Sequence, residues 1–74
     1  MTNIAGLEYE VIIGSDLARD GMMLEVHDPQ GQLLEVFYGD QDGAMTFTAY
    51  REDLPIVLVE WAVAEAKVRL TPAS

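Results

Sequence analysis

The chain has 74 residues, half of them apolar, and its 13 acidic and 4 basic side chains leave a net charge of −9. That length holds one domain at most, spanning residues 1–74, and excludes a dinucleotide-binding fold or a large barrel; the apolar half excludes a disordered chain. The absence of cysteine excludes a disulfide framework, a thiolate zinc site and a cysteine nucleophile, and it fits a cytoplasmic setting.

Residues 7–13 alternate. Leu7, Tyr9, Val11 and Ile13 point one way and Glu8 and Glu10 the other, the period-two pattern of a half-buried strand. Gly14-Ser15-Asp16 is expected to break it, and Asp20-Gly21 marks a turn. Residues 22–27 form the next strand, with Met22, Leu24 and Val26 opposed to Met23, Glu25 and His27. In Asp28-Pro29-Gln30-Gly31, proline presets φ at the second turn position and glycine suits the fourth, a strong hairpin signal. Residues 32–38 follow as a strand, Leu34, Val36 and Tyr38 opposed to Leu33, Glu35 and Phe37. A second turn at Asp40–Gly43 leads to a strand over 44–50, rich in threonine and aromatic residues.

The period then changes. Residues 54–70 are rich in Ala, Leu, Val and Glu and predict a helix, with Asp53 as N-cap, Pro55 in the first turn, Lys67 and Arg69 in the last and Pro72 beyond the end. The expected fold is α+β: a four-stranded antiparallel meander followed by one C-terminal helix across one face. At 100° per residue, Leu54, Val57, Trp61, Ala64 and Val68 form the stripe expected on the sheet, with Leu58 at its flank. A second stripe, Ile56, Val59, Val63, Ala66 and Leu70, is then expected to face outward. Leu33 and Phe37 repeat that surplus on the sheet face away from the helix. Apolar surface of this kind marks an interface, and a two-fold homodimer is the commonest way to cover it.

The candidates for chemistry are thin. His27 stands beside Asp28, but nothing in the sequence places Ser15 or another nucleophile against it. Asp40-Gln41-Asp42-Gly43 matches part of a calcium loop but is followed by no glutamate until Glu52; hairpin-turn chemistry explains it, and Asp16 and Asp20 are no stronger as ligands. Glu8 and Glu10 share a strand face, which Glu25 and Glu35 join if the first three strands are neighbours; four such carboxylates could form a paired acid/base site, but outward carboxylates that discourage edge-to-edge aggregation are the expected reading. Glu65 and Arg69 are spaced to pair along the helix. The six glycines fall singly near strand ends, so there is no phosphate cradle. No cofactor or metal is expected.

Arg19, Arg51, Lys67 and Arg69 are scattered among the carboxylates, which argues against nucleic acid and anionic membranes as partners and suits a basic protein. Residues 1–6 carry neither the charge nor the apolar run of a signal peptide. Runs such as Ile56–Val59 fall far short of the ~20 apolar residues that span a bilayer. The reading is a small acidic, non-enzymatic interaction module, a homodimer that binds another protein, with Ile56, Val59, Val63, Leu70, Leu33 and Phe37 as its surface. The competing reading is a small-molecule binder or accessory enzyme subunit, its pocket between sheet and helix or at a dimer seam and lined by Trp61, Tyr9, Tyr38 and His27.

Overall fold

The computed structural model describes residues 1–72; the last two positions of the expected 1–74 span lie outside the described residues. Five strands run β1 (Thr2–Ile4), β2 (Leu7–Asp16), β3 (Gly21–Asp28), β4 (Gly31–Gly39) and β5 (Met45–Ala49), and one helix, α1, spans Ile56–Arg69. The sheet order is β1-β2-β3-β4-β5 with every neighbouring pair antiparallel. The α+β class and the meander stand as expected, with five strands in place of four.

The additional strand is β1. Ala5 and Gly6 both have positive φ, 52° and 90°, which is the backbone of a two-residue turn whose twist suits a hairpin. The Gly6 N–H donates to Asn3 Oδ1 at 3.2 Å, and Ile4 pairs with Leu7. Three residues leave no periodic trace, so alternation alone could not reveal the strand. The expected break at Gly14-Ser15-Asp16 is not one: β2 continues to Asp16, paired with Gly21, and the turn lies at Leu17–Asp20.

One sheet face carries α1. Tyr9, Leu24, Val26, Leu34 and Val36 are buried there with Leu58, Ala62, Ala66 and Leu70 of the helix end. The register of β3 and β4 shifts between Val26 and His27: Val26 faces Leu34, but His27 faces Gln32. Leu33 is the residue left over at this bulge, and it is buried in the same core. This corrects its expected place beside Glu35 and Phe37 on the open face, because a bulge breaks strict alternation.

The helix is also rotated from the expected orientation. Leu58, Ala62 and Ala66 are its buried residues, whereas Val57, Ala64 and Val68 of the predicted inward stripe are exposed. Residues of nearly every direction around α1 are apolar, so the stripe could be drawn on either side. The two alanines decide it: small side chains let the helix axis settle close to the sheet and spare Leu58 and Leu70 for the core. Pro55, not Asp53, occupies the N-cap position, and it makes no side-chain cap; Asp53 has a left-handed φ of 56°. Lys67 and Arg69 do sit in the last turn. No helix among the described residues is long and apolar enough to cross a membrane.

Candidate functional site

Two of the surfaces outside the core bear on function: the open face of the sheet and its β5 edge.

On the open face, Glu25 stands directly opposite Glu35, and Glu10 opposite His27, so the carboxylates share the face that the alternation implied. Two like charges directly opposite are unfavourable, and the structure separates them with different partners. His27 Nε2 lies 2.9 Å from Glu25 Oε1. Arg19, carried by the β2–β3 turn, donates to Glu35 Oε1 and Oε2 at 3.0 and 2.8 Å and to Asp16 Oδ2 at 2.6 Å. The hydrogen bonds from Arg19 hold the Asp16 carboxyl below its usual range, and Glu35 and Asp16 together push the guanidinium upward. The guanidinium also stacks 4.2 Å from the centroid of the Phe37 ring. Below the ring lies Gly21, where an added Cβ would sit 2.6 Å from a Phe37 carbon and would collide with the Tyr38 carbonyl oxygen. Phe37 is thus half-buried between Gly21 and Arg19. A hollow of about 350 Å³ opens beside it, lined by Arg19, Phe37, Asp42 and Thr46 among others.

The catalytic candidates are not brought together. Ser15 pairs with Met22 on the helix side of the sheet, its hydroxyl 3.6 Å from the Met22 sulfur. His27 is on the open face toward the other end of β3. Among the described residues no group of three or more His, Asp or Glu side chains is placed to hold a metal ion. The lining suggested for a small molecule is divided: Tyr9, Tyr38 and Trp61 belong to the helix-side core and its margin, and His27 faces the other way. Trp61 borders a groove of about 390 Å³ with Val11, Ile13, Glu65 and Arg69, and Arg69 donates to Glu65 at 3.2 Å as its spacing implied.

The six residues expected to form one interaction surface are spread over three places. Leu33 and Leu70 are 4% and 3% exposed and belong to the core. Phe37 lies under Arg19 on the open face. Only Ile56, Val59 and Val63 remain as a group, on the side of α1 that faces β5. Val63 shares a small hollow of about 170 Å³ with Val36, Met45, Phe47 and Lys67, and Val59 and Ile56 continue that side one and two turns back.

β5 itself is the feature that sequence reasoning passed over. It is the last strand of the sheet, and among the described residues one of its sides has no neighbouring strand. Tyr50 N–H donates to the Leu33 carbonyl at 2.8 Å, and Gly39 N–H to the Ala44 carbonyl at 3.0 Å. Even-numbered residues therefore bond to β4, and alternation turns the backbone groups of Met45, Phe47 and Ala49 outward. Phe47 is 42% exposed and Tyr50 54%. An open edge usually carries a charge, a proline or a bulge as protection. β5 has none of these: the register against β4 is unbroken, and Gly43–Tyr50 holds no charged residue and no proline. The clue was present as a charge-free window between Asp42 and Arg51 in a chain of net charge −9.

Comparison with known proteins finds no match to this chain among protein-family models, curated proteins or solved structures.

Proposed function

We propose that this chain is a non-enzymatic protein-interaction module that acts as a homodimer and binds through β5 and the adjoining side of α1. One observation carries the reading. The edge carries no charge, proline or bulge against strand addition and lies in the longest charge-free stretch of an acidic chain, with Phe47 exposed on it. Unpaired backbone donors and acceptors specify the kind of partner, namely another extended strand. Apolar side chains flanking them supply the burial that backbone bonds alone do not. The open sheet face carries Glu10, Glu25 and Glu35 and suits a basic protein as a further partner.

Amide hydrogen exchange tests the edge directly, because it reports each backbone bond. With β5 engaged, the amides of Met45, Phe47 and Ala49 exchange as slowly as those of Thr46 and Thr48, which already bond to β4. Rapid exchange at the three odd positions at the highest attainable concentration would contradict the proposal.

A further inference from the structure

We propose that the second copy adds to β5 antiparallel and centred on Phe47, so that a single sheet runs through both chains; this rests on the reading of β5 as the binding edge. Around Phe47 the strand reads Met45-Thr46-Phe47-Thr48-Ala49, with the same residue, threonine, on either side of Phe47. Antiparallel pairing about Phe47 sets Thr46 opposite Thr48 of the second copy on the open face and the two Phe47 rings together on the helix side. Both are favourable cross-strand pairs. Met45 then meets Ala49, a long side chain against a short one.

The phase of the hydrogen bonds selects the same register. Phe47 turns its backbone groups outward, so two facing Phe47 residues exchange both bonds, and Met45 and Ala49 do the same. A shift of one residue sets outward-bonding residues against inward-bonding ones. A shift of two leaves Met45 or Ala49 unpaired. The net charge of −9 on each chain opposes self-association, and Met45–Ala49 is a seam that brings no charged side chain of its own into the contact. The hollow between Phe47 and Val63 opens beside the same seam. A two-fold axis through Phe47 puts both helices on one side of the joined sheet. Each lies over β3 and β4, so their axes stand about 20 Å apart at ordinary strand spacing, and the paired Phe47 rings lie between them.

Because the chain has no cysteine, introduced thiols report their own positions. Mixing Thr46→Cys with Thr48→Cys under mild oxidation should give a disulfide-linked dimer, since residues facing each other across a strand pair lie within the separation a disulfide spans. Ala49→Cys alone should not cross-link, because its two copies sit four residues apart along the seam, about 14 Å. Cross-linking of Ala49→Cys as readily as the mixture, or failure of the mixture in a sample whose mass is that of a dimer, would overturn this register and leave self-association standing. A monomeric mass for the wild-type chain at every concentration would instead overturn the homodimer itself.

Discussion

Arg51 donates to both carboxylate oxygens of Asp28, at 2.6 and 2.7 Å, and reaches the Gly31 carbonyl at 3.3 Å. It thereby ties the chain beyond β5 to the β3–β4 hairpin. This contact, reinforced by the Gln30 N–H and opposed by partial burial, brings the Asp28 carboxyl from 3.8 down to about 2. The folded value lies below the unfolded one, so the stabilisation is complete above the unfolded value and is lost as pH falls toward about 2. Asp28→Asn should therefore lower the urea midpoint at neutral pH, while the two chains converge near the folded value; an unchanged gap at low pH would contradict the assignment. At Arg19 the test is a pair of variants. Arg19→Met strands the Glu35 carboxylate, which is 7% exposed, and should destabilise the fold. Adding Glu35→Leu should recover part of the loss, because an uncompensated buried charge is worse than an apolar pair. A double variant less stable than the single one would refute this. Neither pair was legible beforehand: Arg19 and Glu35 are sixteen positions apart, and no local spacing rule links a turn residue to the second strand after it.

The elements were legible to the extent that each repeats a period. β2, β3, β4 and β5 each alternate over five residues or more and were found within a few positions of their ends. Three-residue β1 was not, since its signal is only the turn at Ala5-Gly6. The helix was found, but its orientation was not: with apolar residues almost all round, the choice of face depends on where close approach to the sheet is possible. This places Ala62, which belongs to neither expected stripe, in contact, and Ala64, expected on the sheet, in solvent. Ala62→Leu should lower stability by ~1–3 kcal/mol through overpacking, whereas Ala64→Leu should stay within ~0.5 kcal/mol of the parent. Thermal or urea unfolding of the two variants decides between the orientations, and equal effects would mean that the helix is not seated as described. The bulge at Leu33 has a similar lesson: one extra residue turned a side chain expected outside into the core, and nothing in the alternation marks such an insertion.

At the scale of the whole molecule, charge and edge act together. A net charge of −9 on each chain opposes self-association, and β5 is an uncharged strand that, among the described residues, is unpaired on one side. Helical spacing groups Ile56, Val59 and Val63 on one side of α1. That the strand they border is an edge was not legible, because whether a strand is an edge depends on sheet order. Salt separates the two partners proposed for the molecule: screening should tighten association between two acidic copies and loosen a complex with a basic protein. The most direct test of the account is sedimentation equilibrium of the wild-type chain beside Ala49→Pro. The substitution removes an outward backbone donor of β5 and leaves its bonds to β4 in place. The account predicts a concentration-dependent dimer for the wild type and a shift to monomer in the variant. A wild type that stays monomeric, or a variant that dimerises equally well, would contradict it.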